Sequence, residues 1–372
     1  MSAPTLLEAP SLLTEPKYQD GRERPLTPML IVVRPSSSGM LRHVQGLIKY
    51  LPEHGFAPTL TGPDFIRDRP GILADSRAVK TLRQQASGFP FVHCHGVRAG
   101  WVCALAFRDR YPWVWTVHHL LLHRSALVRA LWRWIARYPR FVLAVSESVR
   151  EGLIRGGIPA ERVEVVPGGI DLERFERLPN REAMRQQFYV PPDRPVVLCV
   201  GRFVRHKGFD IAIRAMNRVW QTFPEADIWL AGDGPDNARL VNLTLHSHYP
   251  HHIRFFGYWS AVEELYVSAD VLVAPARDAG LGLAVMEAMA CGLPVIASQI
   301  PQLQRLVEHE KTGLLVPVED PDALADAIIR LLKDKALAQR LAENARQSAD
   351  RFHIRHTVEQ TVPFYRQLIA GG

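Results

Sequence analysis

Short apolar runs alternate with helix-period segments along most of the chain, and this alternation constrains the fold more than any other feature. MLIVV (29–33) is the first such run. It leads through RPSSSG into MLRHVQGLIKYL, where Leu41, Val44, Leu47, Ile48 and Leu51 recur at helical spacing. Further runs stand at APTLTG (57–62), FVHCHG (91–96), WVWTVHH (113–119), FVLAVS (141–146) and VEVVPGG (163–169), with AGWVCALAFRD and SALVRALWRWIAR as helical patterns among them. Runs that are apolar throughout suit strands buried on both faces. Strands alternating with helices predict parallel sheets covered on both sides.

The pattern pauses at RLPNREAMRQQFYVPPDRP (177–195), rich in proline and charge, which reads as an interdomain linker. It restarts with PVVLCVGRF, the helical DIAIRAMNRVWQTF, and the strands ADIWLAGDG, IRFFGYW (253–259), DVLVAP (270–275) and PVIAS. DPDALADAIIRLLKD opens with Asp and Pro, good helix-start chemistry. The expectation is α/β: a flexible tail over 1–28, with five prolines, then two doubly wound Rossmann-like domains over 29–180 and 190–350. A C-terminal helix of about 353–372 is expected to pack back on the first domain. A length of 372 residues suits two domains.

Composition narrows the class. At 47% hydrophobic the chain is no disordered polymer. No apolar run approaches the roughly 20 residues that span a bilayer. The first 28 residues lack the charged start and apolar core of a signal peptide, which predicts a cytoplasmic protein. Cys94, Cys103, Cys199 and Cys291 show neither metal spacing nor a disulfide framework. In His93-Cys94-His95 the two histidines share a strand face, but no third ligand is evident, so no metal is expected. The formal charge of +7 points to an anionic partner.

Two segments carry chemistry. In RDAGLGLAVMEAMACGLPVIAS (277–298), Gly280 and Gly282 permit an unusual turn directly before a helix, whose free N–H groups and positive dipole end suit a diphosphate. Glu287 falls in the middle of that apolar helix. A buried carboxylate needs partners, and either a ribose diol or a nearby loop can supply them. In VGRFVRHKGFD (200–210), Arg202 and Lys207 sit in the loop after a strand, where two cations can hold a leaving diphosphate. A solvated charge pair is the plainer alternative.

Together with FFGYW, ELYVSADVLVAPA and VSESVREGLIRGGIPAERVEVVPGGID (145–171), these segments resemble the retaining glycosyltransferase family 4, of GT-B architecture, over roughly residues 29–370. The resemblance implies two Rossmann-like domains facing across a cleft, and transfer of a sugar from a nucleotide-sugar to an acceptor with retention and without a metal. It implies Arg202 and Lys207 on the donor diphosphate, Glu287 on the donor ribose as the second Glu of E-x7-E, and the Gly282–Leu283 backbone toward sugar and phosphates. It further places Phe256 and Gly257 beside the nucleobase, Gly39 in the N-terminal glycine loop and His118 near the donor sugar.

One motif position departs from the pattern. Ala279 stands where the family has the first Glu, which touches the donor sugar. Asp278 can reach the same hydroxyls, or the chain is an engineered or natural member with silenced or altered donor use. A nucleotide-sugar binding protein is therefore the alternative, and an epimerase of similar architecture a third.

The acceptor side is read from charge. Segment 90–140 holds eight arginines, no lysine and one acid, which matches the whole net excess. Arg129, Arg133 and Arg137 lie four apart beside Trp132 and Trp134, so a basic, Trp-bearing amphipathic helix can lie on an anionic membrane surface. The expected acceptor is a sugar, a glycan or a lipid-linked molecule. No nucleic-acid motif accompanies the charge.

Overall fold

The computed structural model describes residues 25–34, 39–61, 66, 72–118 and 126–371. The expected tail over 1–28 therefore lies, as far as residue 24, outside the described residues, while Thr27 and Pro28 already pair with Phe56 and Ala57 in a strand. The first sheet is built of β1 (Thr27–Val33), β2 (Phe56–Leu60), β3 (Val92–His95), β4 (Trp113–Val117), β5 (Phe141–Ala144) and β6 (Val163–Val165). Its order is β2-β1-β3-β4-β5-β6, parallel throughout.

The second sheet holds β7 (Val196–Val200), β8 (Asp227–Ala231), β9 (Ile253–Gly257), β10 (Val271–Ala274), β11 (Val295–Ser298) and β12 (Leu314–Val316). Its order is β12-β11-β10-β7-β8-β9, again parallel. The chain is thus two doubly wound α/β domains, as the alternation predicts.

Each strand feeds two cores because successive side chains leave opposite faces. In β1, Met29, Ile31 and Val33 pack in one cluster, while Leu30 and Val32 pack in another. In β7, Val196 and Leu198 face one core, and Val197 and Cys199 the other. This double burial is why the strands are apolar without alternation.

Two chain crossings join the domains. Ile170 N–H donates to Phe352 O at 2.8 Å and Ile354 N–H to Ile170 O at 2.8 Å, tying the crossings to each other. Gly169 permits this approach, since a Cβ there would lie 2.5 Å from Phe352 O. The helix Ile354–Ala370 then packs on the first domain, with Ile354, Val358, Val362, Tyr365 and Leu368 in the cluster of Val44, Leu47 and Tyr50.

The proline-rich stretch differs from a free linker. Asn180 caps a helix, Arg181–Gln187, accepting from Ala183 N–H at 2.9 Å. Arg185 is buried and donates to the carbonyls of Ser268 and Pro191, each at 2.8 Å. Phe188 meets Trp229 edge-on at 5.3 Å. Buried anchors between the prolines make this segment part of the second domain.

Candidate active site

The functional loops follow the C-terminal ends of the strands, where a parallel sheet leaves a crevice for ligands. After β10, Gly282 adopts φ +75° and opens the helix Leu283–Ala290. A Cβ on Gly282 would lie 2.5 Å from Leu306 Cδ1, so both conformation and space demand glycine. From the opposite domain, Gly39 starts the helix Gly39–Tyr50 and sits so close that a Cβ there would be 2.2 Å from Leu283 Cδ1. The structure therefore brings Gly39, Gly282 and Leu283 together across the cleft.

Glu287 is 3% exposed. Its Oε1 accepts from Arg42 Nη1 at 2.9 Å and its Oε2 from Tyr266 OH at 2.8 Å. Burial opposes the Arg42 charge, but Glu287 together with Tyr266 and Tyr258 outweighs it, and the guanidinium pKa is raised. Burial, then Glu287, pushes Tyr266 well above its usual value. The carboxylate partners demanded by burial are thus a cation from the other domain and a neighbouring hydroxyl. Neither was singled out from the sequence, although Arg42 lies one turn after Gly39 on the same helix.

The diphosphate loop follows β7. Gly208, at φ +72°, closes so tightly that a Cβ would be 1.8 Å from Pro275 O. Arg202 is exposed and Lys207 half-buried. Burial lowers the Lys207 pKa, with the Asp278 carboxylate partly opposing that shift. His206 is lowered by burial and by Lys207 and Arg202. The loop is tied to the β10 side, since Arg277 N–H donates to His206 O at 2.8 Å. Arg277 Nη1 in turn donates to Asp210 Oδ1 at 2.9 Å.

Asp278 accepts from Gln302 Nε2 at 3.2 Å. Ala279 is 5% exposed and packs in the apolar core of the second domain. Phe256 is half-buried, with its centroid 4.8 Å from Trp229 and 5.7 Å from Trp259. The adjoining Gly257 at φ +63° has open space where a Cβ would stand.

His118 directly follows β4 and is buried. Its Nε2 lies 3.0 Å from His95 Nδ1, and its ring meets His43 edge-on at 4.9 Å. Burial lowers the pKa of His43 to about 4, and lowers His95 as well. His93 is committed elsewhere, with Nδ1 2.5 Å from Tyr365 OH and Nε2 2.7 Å from Thr116 Oγ1.

The basic helix corrects one expectation. Arg129 and Arg133 are exposed on the helix Ala126–Ile135, and Arg137 is exposed two residues beyond its end. Trp132, however, is 3% exposed and packs 6.0 Å from Trp115, while Trp134 packs 5.4 Å from Trp101 and 5.1 Å from Tyr138. The Trp132 indole serves the core and does not accompany the arginines to the surface, while Trp134 is half-buried against it. Leu127, 79% exposed, is the apolar group beside them. Among the described residues no helix is long and apolar enough to cross a membrane.

Two Rossmann-like domains, meeting at glycine-opened helix starts beside a cationic loop, define a GT-B glycosyltransferase. Residues 180–348 match the family described as Glycosyl transferases group 1, and residues 32–174 match Glycosyltransferase Family 4. The chain is 30% identical over 311 residues to the D-inositol 3-phosphate glycosyltransferase of Corynebacterium urealyticum, covering 77% of this chain and 73% of that one. It is 28% identical over 295 residues to an uncharacterized glycosyltransferase of Methanocaldococcus jannaschii, covering 75% of each. Its fold matches sucrose-phosphate synthase from Thermosynechococcus elongatus, with a TM-score of 0.80 and 27% identity over 93% of this chain and all of that one. It also matches Anabaena HepE in complex with UDP and glucose, with a TM-score of 0.79 at 22% identity over 92% of this chain and all of that one. The chain belongs to glycosyltransferase family 4 and is a glycosyltransferase that uses nucleotide-sugar donors.

Proposed function

We propose that this enzyme transfers a hexosyl group with retention of anomeric configuration and without a metal cofactor. The observation that carries the reading is the close approach of Gly39 to Leu283 across the cleft, with the Lys207 loop packed against Pro275 and facing Asp278 on the same side. The bond between the anomeric carbon and the diphosphate oxygen breaks, and the acceptor oxygen bonds the same face of that carbon. The acceptor proton passes to the departing diphosphate. Arg202 and Lys207 neutralise the charge that develops on that group, so positioning and electrostatics supply the catalysis. Glu287 holds the ribose, Phe256 and Gly257 border the base, and Asp278, oriented by Gln302, serves the sugar hydroxyls in place of the missing Glu. The site is cytoplasmic on this reading, and the acceptor approaches from the first domain.

A panel of nucleotide-sugars and candidate acceptors, followed by NMR of the product, tests this. Transfer with an inverted anomeric centre, or turnover that collapses only on removing metal, would overturn it.

A second reading rests on Ala279, whose buried apolar setting offers the sugar no carboxylate. It makes the chain a catalytically silent nucleotide-sugar binding protein. Titration calorimetry paired with a turnover assay separates the two. Binding without turnover that Ala279→Glu does not restore favours the silent protein, whereas restoration marks a disabled transferase.

A further inference from the structure

His43, His95 and His118 converge from the helix Gly39–Tyr50, the end of β3 and the residue after β4. One ring nitrogen from each lies within 4.8 Å of the others. The His95 Nδ1 and His118 Nε2 pair stands at 3.0 Å. All three rings are buried, at 3%, 0% and 7% exposure. Among the described residues, two nitrogens in this cluster, His43 Nδ1 and His95 Nε2, have no hydrogen-bond partner. A buried polar atom left unsatisfied costs about 1–3 kcal/mol. A buried His43 nitrogen without a described partner, beside two further histidine rings, is unusual company unless something else uses it.

We propose that His43, His95 and His118 form a binding site for one divalent transition-metal ion of the Zn2+ type. Imidazole nitrogen suits Zn2+, Co2+, Ni2+ and Cu2+, whereas Mg2+ and Ca2+ demand oxygen ligands that this set lacks. Tetrahedral coordination with bonds of about 2.0–2.1 Å puts ligand nitrogens about 3.3 Å apart. The His95–His118 pair already approaches that spacing, and side-chain rotation of His43 supplies the rest.

The proton between His95 and His118 shifts to the other nitrogen of its ring, so metal entry requires no net proton release. His93 is excluded because both its nitrogens are engaged. The fourth position is left to water.

The functional consequence rests on the proposed role of His118 beside the donor sugar. Metal capture withdraws that ring, so the site is inhibitory and compatible with a reaction that needs no metal.

The test uses the full chain. Titration calorimetry with Zn2+ is expected to give one equivalent bound per chain, with Mg2+ giving none. X-ray absorption of the Zn2+-loaded protein is expected to show three imidazole ligands and no sulfur. His95→Ala and His43→Asn should each lose this binding while keeping a cooperative melt. Absence of stoichiometric binding, sulfur in the first shell, or unchanged binding in either folded variant would overturn the proposal. If a variant fails to fold, the ligand count from wild-type X-ray absorption decides alone. These readouts need no activity, so they stand or fall apart from the transfer reaction. Where transfer is measured, Zn2+ should suppress it and a chelator restore it.

Discussion

Arg42 of the first domain donates to Glu287 of the second at 2.9 Å, placing a cation on the carboxylate expected to hold the donor ribose. The contact is 20% exposed on the Arg42 side and 4% on the Glu287 side. It links the two domains at the cleft itself, through a helix that begins at the glycine loop.

Removing Arg42 leaves Glu287 buried with Tyr266 alone. A hydrogen bond to a charged group contributes about 1.5–3 kcal/mol, so Arg42→Ala should lower the unfolding free energy of the donor-free protein by about that much, read as a lower urea midpoint at unchanged slope. Arg42→Lys should recover part of the loss. An unchanged midpoint in Arg42→Ala would show the contact to be energetically idle.

Lys207→Ala and Arg202→Ala should each reduce kcat by about 100-fold or more, the usual cost of deleting a group that stabilises developing charge. Because burial lowers the Lys207 pKa, the folded state loses this proton at a lower pH than the unfolded chain. Between those two values stability rises with pH, while donor affinity falls because the cation is gone. Donor binding measured against pH should therefore weaken before the ordinary lysine range, and Lys207→Ala should remove that limb.

A methyl group on Gly39 meets Leu283 Cδ1. Gly39→Ala should slow turnover about tenfold by displacing the Leu283 side chain, overpacking of this kind costing about 1–3 kcal/mol. Adding Leu283→Ala should restore part of the rate. Strictly additive losses in the double variant would show that the two positions do not couple.

The exposed Arg129, Arg133 and Arg137, with Leu127 beside them, are the residues on which contact with an anionic membrane is tested. Each basic residue near such a surface contributes about 1 kcal/mol. Replacing all three arginines with Gln should abolish co-sedimentation with phosphatidylserine vesicles, and Trp132→Phe should leave it intact. Unchanged co-sedimentation of the triple variant rejects the surface.

Much of the fold was legible because its signals are local. The apolar runs at 29–33 and 195–200 became β1 and β7, buried on both faces as their composition requires. The glycine at 282 marked a turn before a helix, and it carries the positive φ that such a turn needs. The segment after residue 177 misled because proline and charge look like a tether, whereas Arg185 and Phe188 are buried by carbonyls and aromatics distant in sequence. The tryptophans at 132 and 134 misled for the same reason: helical spacing does not say which face meets the core.

The sequence by itself determined the two α/β domains, the family and the residue types gathered at the strand ends, since periodicity, turn chemistry and motif spacing are properties of neighbours along the chain. Only the tertiary structure decided that Arg42 satisfies Glu287, that Gly39 abuts Leu283, and that three histidines from separate elements share one pocket. Those relationships join residues remote in sequence. The first two depend on how two separately wound sheets are brought face to face, the third on how two strand ends of one sheet meet a helix, and no local pattern encodes those distances.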